Sequence, residues 1–257
     1  MRKSTAFLII ALVAVLSVAP ALRADTVSAN TNFIDQAYAD LLQRPPSPTD
    51  LALGLTALGS ETRYQFALSL DTSAPYYSLL VKSYDQNLLG VTPTAVEIAT
   101  LAALIGTGDS DEFIQALLVS TPEFFTNSGG TNAGFITALF KDFLNRTPTA
   151  GELAFWETEL LTLTRNQVAS MILASSEYDT DLVEGYYFQF LRRPADPTGL
   201  SLFATALNNG TLTDEQVIAS LIGTDEYFNM AQTPEPATAA LLGFGLAGLV
   251  LLRRQLC

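Results

Sequence analysis

The segment FIDQAYADLLQRP, residues 33–45, decides the fold class of this chain. Its apolar side chains recur at positions i, i+1, i+4, i+5, i+8 and i+9, which is the stripe of an amphipathic helix and not the alternation of a strand. Arg44 follows the stripe, and Pro45, which cannot continue a helix, comes next. The segment therefore predicts a helix that faces a core and ends near Arg44.

Copies of this pattern recur along the chain. The stripes over residues 135–144 and 182–191 are each followed by an arginine and a proline. A weaker copy over residues 79–93 has Gly90 where the arginine is expected. Because a pattern that returns at a roughly constant period is typical of repeat proteins, the body is predicted to hold four tandem units, which start near residues 33, 79, 135 and 182.

Each unit contains two further helix starts and a closing motif. The second helices begin with capping patterns at Ser47–Asp50, Thr94–Glu97, Thr149–Glu152 and Asp196-Pro197. The third helices begin at Asp109–Glu112, Thr164–Gln167 and Thr213–Gln216, and in the first unit at Ser60 with Arg63. Every unit closes on an aromatic residue, as in Ser175-Ser176-Glu177-Tyr178. These signals predict an all-α fold of four tandem three-helix repeats, about twelve helices in all, with no confident strand.

The N-terminus has the form of a secretory signal. Two cations precede an apolar run from Ala6 to Val18, and the small residues Ala19-Pro20-Ala21 follow it. The run is shorter than the roughly 20 residues that cross a bilayer, which favours cleavage over a retained anchor helix. Residues 1–24 are therefore predicted to be a signal peptide that is removed.

The C-terminus has the form of a membrane anchor. Pro234-Glu235-Pro236 precedes an uncharged apolar segment, residues 237–252, and Arg253 and Arg254 end that segment. Two prolines oppose helix formation at the junction and leave an extended segment outside the bilayer. The pattern predicts one transmembrane helix within residues 233–257, with the arginines on the cytoplasmic side and the body outside.

This order of elements resembles the PEP-CTERM sorting signals of Gram-negative bacteria. The resemblance implies that an exosortase-like integral-membrane enzyme processes the chain near Pro234-Glu235-Pro236, in a host that makes extracellular polysaccharide or biofilm matrix. The trailing residues 255–257 depart from the family pattern, which usually stops at the basic residues. The alternative is an ordinary, permanent C-terminal anchor.

The repeats resemble a helical domain of unknown function found in exported and surface bacterial proteins. An Arg-x-Pro or Arg-Pro element after an aromatic helix and a closing Ser-x-Glu-Tyr carry the resemblance, which covers most of residues 33–228. It implies an all-helical fold and a surface or matrix setting, and it supplies no catalytic residues. The Gly-rich linker at residues 127–132 divides the body into residues 25–128, with repeats one and two, and residues 129–232, with repeats three and four.

Composition limits the chemistry and the partners. Residues 25–233 hold 8 basic and 25 acidic residues, a net charge of −17, and no basic patch, so nucleic acid is excluded as a partner. The chain has no histidine, which removes the usual general base and the commonest zinc ligand. Its one cysteine is Cys257, so no intrachain disulfide forms. We expect no cofactor, no metal and no catalytic residue.

Arginine and glutamate recur at the ends of the units. The arginine is missing from unit two and the closing glutamate from unit one, which fits pairing between neighbouring units. This predicts the inter-repeat pairs Glu123 with Arg146 and Glu177 with Arg193, supported by stacking of the arginines on nearby aromatic rings. The alternative is that each arginine caps the C-terminal carbonyls of its own helix.

Acidic residues cluster at several helix starts. Such clusters, if they meet in a cleft, could serve a glycosidase or bind calcium: Asp109/Asp111/Glu112, Glu157/Glu159, Asp179/Asp181 and Asp225/Glu226. Acids at helix starts also complement the helix dipole, and no calcium loop of alternating acids is present. We therefore expect structural or solvated roles for them.

Together these patterns predict a non-enzymatic, exported protein of the cell envelope or extracellular matrix. It is inner-membrane anchored during sorting, and it binds or scaffolds extracellular polysaccharide or other surface proteins. The first alternative is a carbohydrate-active enzyme that uses paired carboxylates, which a deep cleft with two facing acids of raised pKa would favour. The second is a permanently anchored envelope protein.

Overall fold

The computed structural model describes residues 26–233 of the 257-residue chain. Within these residues the regular structure consists of fourteen α-helices and one π-helical turn, so the predicted all-α fold is confirmed for the body. None of the helices in this range is long and apolar enough to cross a membrane. The predicted signal peptide, the sorting residues and the transmembrane segment lie outside the described residues.

The helices follow one another with short connections. Helix α1 covers residues 26–42. The other helices are α2 (Pro48–Ala57), α3 (Arg63–Asp71), α4 (Ala74–Tyr84), α5 (Ala95–Gly106), α6 (Asp111–Val119), α7 (Pro122–Asn127), α8 (Asn132–Leu144), α9 (Ala150–Glu159), α10 (Arg165–Leu173), α11 (Ser176–Leu191), α12 (Pro197–Asn208), α13 (Asp214–Ile222) and α14 (Asp225–Gln232). The π-helical turn Asp85–Leu89 continues α4.

Side-chain caps begin the second and third helices of the units. Ser47 Oγ accepts a hydrogen bond from the Asp50 amide, and the Asp50 carboxylate accepts one from the Ser47 amide. The predicted capping boxes at Thr94 and Thr149 are confirmed in the same way, and so is the predicted cap of Asp196, whose side chain accepts from the Gly199 amide. The predicted start of α3 at Ser60 is wrong, because Thr62 caps this helix in a capping box with Gln65. The glutamine satisfies the cap without an acid, and no acidic residue marks it.

The closing motifs begin helices and do not end them. Ser175 Oγ accepts from the Tyr178 amide, and α11 then runs without a break through the next apolar stripe. The closing motifs of the second and fourth units form separate helices, α7 and α14, and these two raise the number of helices in residues 26–233 above the predicted twelve. The predicted linker at residues 127–132 separates α7 from α8, and its Gly129 and Gly130 have positive φ angles that favour glycine.

The stripe helices end on a left-handed residue. Gln43, Gly90, Asn145 and Arg192 have φ angles between 51° and 71°. Gly90 therefore corresponds to this left-handed position and not to the arginine as predicted, and Val91 occupies the arginine position of unit two. Gln43 and Gly90 are 47 residues apart, as are Asn145 and Arg192. The loop between α7 and α8 lengthens the middle interval.

The third helices pack in pairs, the first with the fourth and the second with the third. Helix α3 lies along α13, and α6 lies along α10. In the two halves of the body, α3 corresponds to α10, and α6 corresponds to α13. The pair α3–α13 is therefore equivalent to the pair α10–α6. The body is thus built from two similar halves that interlock through their third helices.

The helices bury two apolar cores. The predicted stripe of α1 lies in the first core, where Phe33 and Ile34 are fully buried, and the Phe33 ring meets the edge of Tyr227 at 5.9 Å between ring centroids. The second core gathers α8 and α10 around Phe135. Burial of these side chains supplies most of the free energy that holds the helices together, at about 1.5–3 kcal/mol per large apolar side chain.

Candidate functional site

Arginines follow three of the four left-handed caps, and each stacks on an aromatic ring of its own helix. The guanidinium carbon of Arg146 lies 4.9 Å from the centroid of the Phe140 ring, six residues earlier. The same contact joins Arg44 to Tyr38 at 5.2 Å and Arg193 to Tyr187 at 5.1 Å. The predicted stacking is therefore present at all three arginines, and it holds each guanidinium group in one direction.

Arg146 and Arg193 bind glutamates of their own units. Arg146 Nη2 donates to Glu177 Oε2 at 2.8 Å and to Glu152 Oε1 at 2.7 Å. Arg193 donates from Nε and Nη2 to the two Glu226 oxygens, at 2.6 and 2.8 Å. The predicted inter-repeat pairs, Glu123 with Arg146 and Glu177 with Arg193, are wrong. Because the third helix returns toward the arginine turn of its own unit, the closing glutamate meets that arginine and not the next one.

The arginines do not cap their own helices. Within residues 26–233, Nη1 of Arg44 and Arg193 donates instead to the carbonyl of the proline that follows each of them. Arg44, whose unit has no closing glutamate, binds Asp50 at 2.9 Å. These ion pairs tie the turn of a unit to its later helices, and the arginines already have carboxylate partners. We therefore assign them a structural role.

A cluster of carboxylates lies where α6 and α13 begin. Asp111 and Glu112 follow the cap residue Ser110, and Asp214 and Glu215 follow the cap residue Thr213 in the other half. One oxygen each from Asp111, Glu112 and Asp214 lies within 4.8 Å of the other two. The sequence explains each acid by the dipole of its helix. It does not reveal that two helix starts meet, because they come from units separated by about 100 residues.

Burial and neighbouring charge raise the pKa of Glu112 and of Asp214. Burial, followed by the charge of Asp111, raises the pKa of Glu112 to about 7. Burial, followed by the charges of Asp111 and Glu112, raises the pKa of Asp214 well above its usual value. No salt bridge within residues 26–233 involves any of the three. Positive charge must therefore come from protons or from a bound cation.

Tyrosine side chains surround the cluster. The Tyr84 hydroxyl donates to Asp111 Oδ2 at 2.5 Å, and Gln115 Nε2 donates to the Tyr178 hydroxyl at 3.3 Å. Burial raises the pKa of Tyr76, Tyr84 and Tyr178 well above 10, so these groups stay neutral. The shell supplies hydrogen-bond donors but no positive charge.

Asp71 is a second unpaired acid in this region. It is fully buried on α3, and neither of its carboxylate oxygens has a hydrogen-bond partner among the described residues. Burial, followed by the charge of Glu215, raises its pKa to about 9. The corresponding residue of the other half is Leu173, which is also buried. No sequence signal distinguishes Asp71 from an ordinary helical aspartate, and it was not among the predicted candidates.

The acidic cluster forms part of the wall of a cavity of about 860 Å³. Asp109, Asp179 and Glu215 add further carboxylates, and Asn208 adds an amide that donates to Asp179 Oδ2 at 3.1 Å. Phe113 lines the cavity although it is 41 % exposed. A cavity of this size, with an aromatic face and several polar groups, matches the dimensions of small-ligand sites.

The predicted acidic candidates divide into two groups. Asp109, Asp111, Glu112 and Asp179 come together at the cavity. Asp225 and Glu226 bind Arg63 and Arg193 instead, and Glu157 and Glu159 belong to α9, away from the cavity. The sequence therefore located four of the six cavity acids, and it missed Asp214 and Glu215.

Comparison with protein families identifies two segments. A family described as "PEP-CTERM protein-sorting motif" matches residues 232–255, which include Pro234, Glu235, Pro236, Arg253 and Arg254. A family described as "Domain of unknown function (DUF4214)" matches residues 110–182, from the cap of α6 into α11. No curated protein and no solved structure matches the chain.

The chain therefore carries a PEP-CTERM sorting motif and a DUF4214 domain, and both predicted resemblances are confirmed. The sorting motif indicates an exported protein that is sorted at a membrane by an exosortase-like processing enzyme. The DUF4214 match includes Asp111 and Glu112 and ends before Asp214, so the cavity acids come from both sides of its boundary.

Proposed function

We propose that residues 25–232 form a non-enzymatic binding or scaffolding module of the cell envelope or extracellular matrix, and that its ligand is a neutral or cationic glycan. The observation that carries the proposal is the cavity at the starts of α6 and α13. Phe113 offers an exposed ring on which a sugar can stack, and the carboxylates and Asn208 offer hydrogen bonds to hydroxyl or ammonium groups.

The charge of the body sets the class of glycan. Residues 25–233 carry a net charge of −17. Six of the acidic side chains line the cavity: Asp109, Asp111, Glu112, Asp179, Asp214 and Glu215. An anionic polysaccharide would meet like charge both at long range and at the site. Neutral or amino sugars meet no such repulsion, and the extracellular setting implied by the sorting motif brings the module close to polysaccharide.

The proposal includes the organisation of the whole chain. Four tandem units, each of three helices with a closing helix start, are supported by the left-handed caps that recur at Gln43, Gly90, Asn145 and Arg192. Residues 1–24 act as a cleaved signal peptide, and residues 237–252 cross the inner membrane until the exosortase-like enzyme acts. The body then moves to the envelope or matrix.

Binding of glycans by the full-length protein in mild detergent tests the proposal. We expect chitosan oligomers, which are cationic, to bind more tightly than neutral dextran oligomers, and anionic alginate oligomers not to bind. Phe113→Ala should weaken binding about tenfold, since stacking on one ring contributes about 1–1.5 kcal/mol. Phe188→Ala is the control, because Phe188 is 54 % exposed and lies outside the cavity.

Two results would contradict this function. Absence of binding to all three glycans would remove the ligand class. Equal losses in Phe113→Ala and Phe188→Ala would remove the cavity as the binding site.

A carboxylate glycosidase is the second candidate. It is favoured by Glu112, whose pKa of about 7 suits a general acid, next to Asp111 and Asp214 in a cavity. The spacing argues against it. Carboxyl pairs of glycosidases are about 5–5.5 Å or about 6.5–9.5 Å apart, whereas one oxygen from each of these three carboxyls lies within 4.8 Å of the others, which is closer than either spacing. We expect no release of reducing ends from the same glycans, and release abolished by Glu112→Gln would establish the enzyme.

A further inference from the structure

We propose that Asp111, Glu112 and Asp214 bind one Ca²⁺ ion, which joins the start of α6 to the start of α13. This inference goes beyond the proposed function, because it does not depend on a glycan ligand. It would make the extracellular ion part of the contact between the two halves of the body.

The geometry of the oxygens fits a single ion. Ca²⁺ lies about 2.3–2.6 Å from its oxygen ligands, so two ligands of one ion can be at most about 4.6–5.2 Å apart. The three carboxylates offer one oxygen each within 4.8 Å of the others. Mg²⁺, with ligand distances of about 2.0–2.1 Å and a strict octahedron, needs a more compact set. The flexible coordination of Ca²⁺ suits carboxylates on two different helices.

The cluster concentrates negative charge without a cationic side chain to pair with it among residues 26–233. The three carboxylates form no salt bridge within residues 26–233, and the groups that surround them are acids, neutral hydroxyls and the neutral amide of Gln115. Asp71 on α3, Glu215 on α13 and Asp179 on α11 add negative charge in the same region. A divalent cation between the two helix starts would offset this repulsion.

Buried carboxylate oxygens that have no hydrogen-bond partner among the described residues are a second observation in favour of the Ca²⁺ site. Oδ2 of Asp214 is shielded from solvent and has no hydrogen-bond partner among the described residues. Both oxygens of Asp71, which is fully buried beside Glu215 in the same acidic region, also have none. Buried polar atoms in folded proteins are satisfied in most cases, and an ion can take the place of a donor. A cation between the helix starts provides a partner for Asp214 Oδ2 directly.

The neighbouring side chains orient the ligands. The Tyr84 hydroxyl donates to Asp111 Oδ2, and this bond fixes one carboxylate from outside the cluster. The side-chain caps of Ser110 and Thr213, which accept hydrogen bonds from the amides of Phe113 and Gln216, fix the first turns of both helices. The open side of the cluster faces the cavity, from which water can supply the remaining ligands that a six- to eight-coordinate ion needs.

Calorimetric titration of the full-length, EDTA-treated chain with CaCl₂ near pH 7.5 tests the proposal. We expect one ion per chain with a Kd of about 0.1–1 mM, the range of extracellular calcium modules, and a higher Tm in Ca²⁺ than in EDTA. Asp214→Asn should weaken binding at least tenfold and abolish the rise in Tm. Asp35→Asn removes the same charge from an exposed site on α1 and should leave both unchanged.

The outcomes separate an ion from shared protons. No binding and no change in Tm up to about 10 mM CaCl₂ would overturn the proposal and leave protons as the only neutralising charge. Equal effects of Asp214→Asn and Asp35→Asn would overturn it as well, because binding would then follow net charge alone. If Asp214→Asn does not fold, Glu112→Gln replaces it with the same expectation and the same contradictory result.

Discussion

Asp71 is buried on α3 without a hydrogen-bond partner among the described residues, so its carboxyl opposes folding whenever it must ionise. We predict that Asp71→Leu, which introduces the residue of the other half at position 173, raises the free energy of unfolding near pH 7.5 by about 1–3 kcal/mol. Urea unfolding of both proteins measures the difference.

The pH dependence of this gain follows from the pKa. The folded pKa of about 9 lies above the unfolded value of 3.8. Between these values the unfolded chain has released a proton that the folded chain retains, so wild-type stability falls as pH rises. The gain from Asp71→Leu should be smallest near pH 4 and grow toward pH 9. A gain that is independent of pH would show that packing, and not ionisation, is responsible.

The register of the arginine–glutamate pairs can be tested by double-mutant cycles. We predict a coupling free energy of about 0.5–1 kcal/mol between Arg146 and Glu177, a modest value because the two side chains are 35 % and 42 % exposed. The matched cycle between Arg146 and Glu123 should give about zero, since Glu123 forms no ion pair within residues 26–233. Coupling between Arg146 and Glu123, without coupling between Arg146 and Glu177, would contradict the observed pairs and support pairing between neighbouring units.

Interactions between residues close in sequence were predictable, and those between distant residues were not. The stacking of Arg146 on Phe140 and the cap of Thr149 with Glu152 follow from helical geometry. The partner of Arg146 and the approach of Asp214 to Asp111 depend on how whole helices pack. A single sequence records charge at these positions but not which distant charge it meets.

At the scale of the helices, a non-glycine residue in a left-handed cap reduces the free energy of unfolding, and this effect can be measured. Gln43 ends α1 with a φ of 51°, a conformation that glycine adopts without strain and Gly90 adopts in the second unit. We predict that Gln43→Gly raises the free energy of unfolding by about 0.5–1 kcal/mol. Thermal unfolding of the wild-type protein and the variant measures this difference in free energy. Gln43→Ala is the control, and a gain of the same size in the alanine variant would contradict this origin.

The helix starts were predicted better than the helix ends. A cap is a contact between neighbours, so Ser47, Thr94 and Asp196 identified their helices correctly. Whether a helix continues past the closing motif depends on the next residues. It continues through α11, and it stops after α7 where Gly129 and Gly130 interrupt it. The cap of α3 was missed because Ser60 offered a competing start two residues earlier, although Thr62 and Gln65 repeat the pattern of Thr164–Gln167.

Across the whole molecule, the pairing of third helices was the feature that the sequence concealed. Apolar periodicity predicted the helices and their buried faces, and Phe33 and Phe135 lie in the cores as expected. It did not indicate that α3 of the first unit would lie along α13 of the fourth. The cavity and its acids arise from this pairing, so the candidate site could not be assembled from repeats considered one at a time.

Export and sorting depend on the terminal segments, and the mature C-terminus is the direct test. We predict that protein recovered from the envelope or extracellular fraction of the native host, analysed by intact mass and C-terminal peptides, ends near Pro234-Glu235-Pro236 and lacks residues 237–257. Mature protein in the inner membrane that retains Arg253 and Arg254 would contradict processing and establish a permanent anchor.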